Sequence, residues 1–119
     1  MADLTRPDVI RILAVTERAR LAGVDLSGLD LHGLNFAGAD LIRANLAGCN
    51  LSNTYMRGAS LEFANLQGAI LARANLKEVN FKGASLRAAD LTHANMSDTN
   101  LFQADLEGAK LDGATGLAR

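Results

Sequence analysis

From Leu21 to Leu111 every fifth residue is apolar. Of these 19 centres, 15 are Leu and the others are Phe36, Met56, Phe81 and Met96. Two residues before each centre the side chain is usually small. Ala fills 12 of those 19 places, and Val24, Leu29, Leu34, Cys49, Thr54, Val79 and Thr99 fill the rest. Asp, Asn or Ser immediately precedes the centre in 15 of 19 repeats, and Gly follows it by two residues ten times, from Gly23 to Gly113. A period of five matches neither a helix nor a plain strand. Within one unit, however, the small and the large residue stand two apart, which puts them on one side of an extended segment. Gly then permits the positive φ of a tight corner, and Asp or Asn can bond the backbone nearby. Each pentapeptide therefore predicts one short side and one corner. A single unit cannot bury its inward pair, so the units must stack as coils, with backbone groups paired from coil to coil and the Leu and Ala columns forming a dry interior.

The two ends differ. An α-helix is expected within residues 1–18, because Thr5 and Asp8 have capping-box spacing, Pro7 suits a first turn, and Val9, Ile12, Leu13 and Thr16 share one stripe. The first coil is also where large residues (Val24, Leu29, Leu34) cluster at the small position, as a coil meeting a helix would need. At the other end the pattern fails at Gly116, and the tail 114–119 is too short for a stable helix. That end is expected to be poorly covered, and an end-to-end homodimer through the C-terminal coil is the expected remedy. The organisation read from the chain is a capping helix in 1–18, repeats over 19–113 and a tail over 114–119.

The run ANLAGCNLSNTYMRGASLEFANLQGAILARANL resembles the A-[DN]-L-x-x pattern of the pentapeptide-repeat family, and the similarity extends over residues 19–113. The resemblance implies an all-β solenoid, a right-handed quadrilateral β-helix with four pentapeptides per coil. It also implies that the centre and the small residue face inward and the other three positions face solvent. Nineteen units would make nearly five coils, a rod of roughly 20–25 Å at the ~4.8 Å separation of strands. Folded at 20 residues, one face stacks Leu26, Leu46, Leu66, Leu86 and Leu106. Another stacks Phe36, Met56, Leu76 and Met96, where flexible Met absorbs irregular packing.

Composition narrows the function. Apolar residues make up 49% but aromatics only 4%, with no Trp, so the core must be assembled from many small units. A net charge of −1 excludes the basic footprint of a non-specific nucleic-acid binder. Cys49 is the only cysteine, which leaves no intrachain disulfide and fits a reducing compartment. No apolar run reaches the ~18 residues of a membrane span, and the N-terminus lacks a secretory signal, so no membrane association and a cytoplasmic address are expected. His32 and His93 should stand three coils apart, roughly 14 Å, too far to share a metal. Cys49 occupies an inward position, where burial disfavours the thiolate. Asp25, Asp30, Asp40, Asp90 and Asp105 fill the slot the repeat demands and scatter over three faces, so no acid–base pair is assigned. No Gly-rich loop precedes a helix. No catalytic residue, cofactor, metal or small-molecule substrate is expected.

The favoured reading is a non-enzymatic structural scaffold or protein–protein interaction module whose protein partner the sequence does not identify. The family resemblance implies an alternative, since some members resemble a DNA duplex and protect DNA gyrase, a type II topoisomerase. A duplex carries one charge per ~1.7 Å, so a mimic of roughly 22 Å should present on the order of −13. Residues 19–113 carry ten acids against eight bases, a net of −2. A candidate docking face is marked by Ile42, Phe63 and Phe102, which break the rule of polar outward positions on or beside the face centred on Leu41, Leu61, Phe81 and Leu101. Glu62 and Lys82 interrupt this patch and are expected to pair across coils.

Overall fold

The computed structural model describes residues 2–117. Residue 1 of the segment 1–18 and residues 118 and 119 of the tail 114–119 lie outside the described residues. The chain makes a stack of coils in which each residue preceding a centre bridges, in parallel, to its counterpart twenty residues on. One such column runs Asp25, Asn45, Asn65, Ser85, Asp105, and three others run beside it. Each step of a column is closed by a short set of backbone bonds. Leu46 N–H donates to Asn65 O at 2.7 Å, Gly48 N–H to Gln67 O at 3.0 Å, and Asn65 N–H returns to Ala44 O at 3.0 Å. The five-residue period thus becomes a twenty-residue coil because four corners bring the chain back over itself.

The corner is the same at every repeat. The residue two after the centre has left-handed φ whether or not it is Gly: Gly68 has φ 71°, and Arg43, Phe63, Ala88 and His93 have φ between 57° and 61°. A turn bond closes it, as from Ala69 N–H to Leu66 O at 3.0 Å. The Asp or Asn before the centre then ties down the next amide, as Asn65 Oδ1 does by accepting from Gln67 N–H at 3.0 Å. Left-handed φ costs an L residue about 1–2 kcal/mol, and the inter-coil bonds on either side of the corner hold it there.

The interior is continuous. Every centre from Leu21 through Met96 is at most 1% exposed, and the small residues from Ala39 through Ala94 are at most 2% exposed. Two inward hydroxyls are satisfied inside their own turns: Thr54 Oγ1 donates to Leu51 O at 2.7 Å and Thr99 Oγ1 to Met96 O at 3.1 Å. Among the centres, burial fails only in the last coil, where Leu101 and Leu106 are half-buried and Leu111 is 38% exposed.

The first coil is covered by α1 (Arg6–Val15). Thr5 caps it: its Oγ1 accepts from Asp8 N–H at 3.3 Å while its own N–H donates to Asp8 Oδ2 at 2.9 Å. Val9 is fully buried, and Leu4, Ile12 and Leu13 pack half-buried on the core beside Val24, Leu29 and Leu34. Thr16 falls outside the stripe expected for it, because the helix ends at Val15 and Thr16 has turned to extended φ −144° and is exposed. Two residues of this segment stand in for a missing coil. Asp3 N–H donates to Asp25 O at 2.6 Å, and the Arg6 guanidinium reaches Asp30 O at 2.8 Å and His32 O at 3.3 Å. At the other end the last bridge, Asn95 to Thr115, lies beyond residue 113, and Leu117 packs half-buried on the core. The molecule measures 38 × 26 × 21 Å, longer than the coils alone because α1 lies on one end. Among the described residues no helix is long and apolar enough to cross a membrane.

Candidate functional site

Two columns meet at the candidate face. Ile42, Glu62, Lys82 and Phe102 each follow a centre, while Arg43, Phe63 and Gly83 occupy the corners beside them. Phe63 holds φ 59° and leaves 44% of its surface exposed. Its ring lies across the Gly83 corner, where an added Cβ would stand only 2.5 Å from it, so glycine at 83 makes room for the ring. On its other side the Arg43 guanidinium sits 4.8 Å from the ring centroid, a cation–π contact. Successive coils thus build a stack of Arg43, Phe63 and Gly83 along one edge.

Phe102 is the most exposed member, at 63%. Its backbone is held on both sides: the N–H donates to Asn100 Oδ1 at 2.9 Å, and the carbonyl accepts from Gly83 N–H at 2.9 Å. No ring contact joins it to Phe63 among the described residues. Ile42 is half-buried and lines a shallow depression of about 630 Å³ with Val15, Arg18 and Ser60, towards α1. The structure therefore places the three residues along one side of the molecule without bringing them into a single cluster. The expected Glu62–Lys82 pair does not form among the described residues. Instead Glu62 Oε1 is buried and has no hydrogen-bond partner.

The remaining candidates serve the fold. His32 Nδ1 pairs with Asp30 Oδ1 at 2.6 Å, and the His93 ring covers the Gly113 corner. Among the described residues no group of three His, Cys, Asp or Glu is placed to hold a metal. Cys49 is buried, its Sγ–H donates to Leu26 O at 2.9 Å, and burial pushes the thiol up to about 11. Asp90 accepts from Thr92 N–H at 3.0 Å, and that backbone bond holds its carboxyl below the ordinary range. Its charge is committed to a turn.

Sequence reasoning passed over the outer side of α1. Ile10 is 42% exposed and Val15 85%, and beside Ile10 a groove of about 420 Å³ opens between α1 and the first coil. The signal was present, since both residues lie off the stripe formed by Val9, Ile12 and Leu13. Tyr55 and Ile70, on other faces, are each 41% exposed and stand alone.

Comparison with known proteins matches the pattern to one family. The sequence model described as pentapeptide repeats fits residues 19–58, 54–92 and 80–115, with 8 copies. No curated protein matches the chain. Among solved structures, a pentapeptide repeat protein from Nostoc PCC 7120 is 28% identical with a TM-score of 0.54, over 96% of this chain and 88% of that one. Another, from the thylakoid lumen of Arabidopsis thaliana, is 31% identical with a TM-score of 0.51, over 82% of this chain. This chain spans 65% of the Arabidopsis protein's length. QnrB1, a plasmid-mediated fluoroquinolone resistance protein, is 22% identical with a TM-score of 0.40 over 82% of this chain, a likeness too slight to bring its activity here.

Proposed function

Because this chain belongs to the pentapeptide-repeat family, we propose that it acts without chemistry of its own, as a rigid scaffold that docks a protein partner. In this reading the coils form a right-handed quadrilateral β-solenoid that works in the cytoplasm and takes no cofactor or small-molecule substrate. The docking face is the side carrying Ile42, Phe63 and Phe102. One observation carries the choice of face: Glu62 Oε1 is buried without a hydrogen-bond partner, next to the half-exposed Phe63 ring. An unpaired buried oxygen costs about 1–3 kcal/mol, and a partner that draws the half-buried Glu62 side chain outward onto a donor recovers that penalty while covering the aromatics. The test replaces Ile42, Phe63 and Phe102 by Ser together and compares the proteins captured by folded wild type and variant. A variant that retains every partner ends the proposal for this face. Protection of a type II topoisomerase by DNA mimicry is the alternative, and the net charge of −2 over residues 19–113 gives it no support. A gyrase supercoiling assay with added protein is expected to show no change.

A further inference from the structure

We propose that the groove between α1 and the first coil is a second docking site, and that it takes a peptide segment presenting an arginine between apolar side chains. The hydrogen-bond pattern of the coils leads there. Each side of a coil turns two carbonyls towards the N-terminal end, those of the residues before and after the centre. In the body of the stack the preceding coil fills them: Tyr55 O accepts from Phe36 N–H at 2.7 Å, and Arg57 O from Gly38 N–H at 3.0 Å. The first coil has no predecessor. On the side centred on Leu31, Arg6 substitutes for it, donating to Asp30 O at 2.8 Å and to His32 O at 3.3 Å from both terminal nitrogens. On the side centred on Leu26, Asp3 substitutes, donating its N–H to Asp25 O at 2.6 Å and accepting from Asp25 N–H at 3.0 Å. On the side centred on Phe36 the equivalent carbonyls belong to Asn35 and Ala37. Among the described residues, neither receives a hydrogen bond.

Asn35 and Ala37 both line the groove, whose volume of about 420 Å³ falls within the ~300–1,000 Å³ of ligand-sized sites. Ile10, Leu13 and Leu34 form its apolar walls, and Glu17 is the single charged side chain among its described lining residues. Two open carbonyls and one carboxylate form an acceptor set that favours a cation with several donors. A guanidinium fits both carbonyls at once, as Arg6 already does on the equivalent pair five residues earlier. The apolar walls then cover the residues on either side of that arginine. A carboxylate in the same place would meet Glu17 and two carbonyl oxygens.

This site rests on the reading of the chain as a protein-binding scaffold but uses a different surface from Phe63 and Phe102, and it meets the depression beside Ile42 at Thr16 and Glu17. The test titrates the 15N-labelled chain with the acetylated, amidated peptide Leu-Ala-Arg-Ala-Leu, followed by amide shifts. Saturable shifts confined to α1, residues 16–19 and residues 34–37 are expected. Replacing the arginine by neutral citrulline, or Glu17→Gln in the protein, should weaken binding about fivefold, and the peptide with Glu in place of Arg should not bind. Ala14→Trp, which fills the groove from the helix side, should abolish the response. Absence of shifts at millimolar peptide, equal binding by the citrulline peptide, or shifts centred on the acidic last coil would each overturn the proposal. The variant Phe63→Ser with Phe102→Ser, which leaves Ile42 and the groove lining in place, should bind the peptide as wild type does. If the Ser triple variant loses the captured partners while no peptide response is seen, the groove falls and the docking face stands.

Discussion

Ala88 holds φ 57° on the surface of the stack, a conformation that suits glycine and strains every L residue. Its amide still donates to Glu107 O at 2.9 Å, so the coil imposes the angle rather than the residue choosing it. Ala88→Gly should relieve the strain, less the entropy glycine adds to the unfolded chain, and stabilise the protein by about 0.5–1 kcal/mol. Chemical denaturation measures this, and an unchanged or lower midpoint would refute it. The same change at Phe63 or His93 should not help, because those rings cover the corners of Gly83 and Gly113. A second prediction concerns the side chain before the centre, where Asp and Asn make the same turn bond. Asp90 accepts from Thr92 N–H and Asn95 from Ser97 N–H, both at 3.0 Å. For Asp90 that bond to Thr92, helped by the Lys110 charge, lowers the folded pKa below the ordinary value of about 3.9. A carboxyl depressed on folding adds stability that is complete above its unfolded pKa and drains away as pH falls through its folded one. Wild type should therefore exceed Asp90→Asn at neutral pH and lose that advantage below about pH 4. Melting curves for the two proteins that stay parallel across this range would show that the charge contributes nothing.

Coils and cap are stabilised by different means, and variants separate them. Leu66 is fully buried in mid-stack while its neighbour Gln67 is exposed. Leu66→Arg should leave an unpaired charge between coils, a loss of about 3–5 kcal/mol or complete unfolding, whereas Gln67→Arg should stay within about 0.5 kcal/mol. Equal melting temperatures for the two would reverse the assignment of inward and outward positions. At the cap, Arg6→Ala removes the guanidinium bonds to Asp30 O and His32 O and should cost about 1–3 kcal/mol. Arg6→Lys should restore only part of that, since an ammonium lacks the two-pronged fork. Full rescue by Lys, read from denaturant midpoints, would mean that charge alone matters there. These elements also divide what the sequence made legible. The coil register could be read because one five-residue period repeats nineteen times and any slip would expose a Leu column. The Thr5–Asp8 capping box could be read because its residues are three apart. The bonds of Asp3 and Arg6 span 22 to 26 residues and belong to no period, so no pattern announces them. Nor could the candidate face be read correctly in detail. Ile42, Phe63 and Phe102 stand out by hydrophobicity, but whether Phe63 stacks on Arg43 and whether Glu62 finds Lys82 depend on corner geometry that hydrophobicity does not encode.

At the scale of the whole molecule, α1 covers the first coil, and among the described residues the last coil presents an unbalanced rim. In each of the three sides centred on Leu101, Leu106 and Leu111 two amides point outward for every carbonyl. The N–H groups of Leu101, Gln103, Leu106 and Gly108 have no partner among the described residues, and the carbonyls of Thr99 and Ala104 accept nothing. We infer that a second copy covers this end, and the rim determines how. Two such ends related by a two-fold axis set donor-rich rim against donor-rich rim, so no complete backbone ladder can run between them. Contact must come from Leu101, Leu106 and Leu111, within an end of 26 × 21 Å that limits the buried surface to on the order of 1,000 Å², the lower bound for a specific interface. Charge opposes it as well. Residues 97–117 carry Asp98, Asp105, Glu107 and Asp112 against Lys110, a net of −3, and Arg87 of the coil beneath pairs with Asp105 and Glu107, which leaves −2 on each copy. Salt shortens the reach of that repulsion from about 10 Å at 0.1 M to about 3 Å at 1 M without weakening the leucine contact. The homodimer should therefore be scarce at low ionic strength and grow with added salt, the opposite of an interface held by ion pairs. Asp112→Lys should bring dimerisation to low salt, and Leu111→Glu should abolish it at any salt. Light scattering over a concentration series in low and high salt decides the matter, and a monomer throughout, with Asp112→Lys also monomeric, would leave this end covered by no second copy.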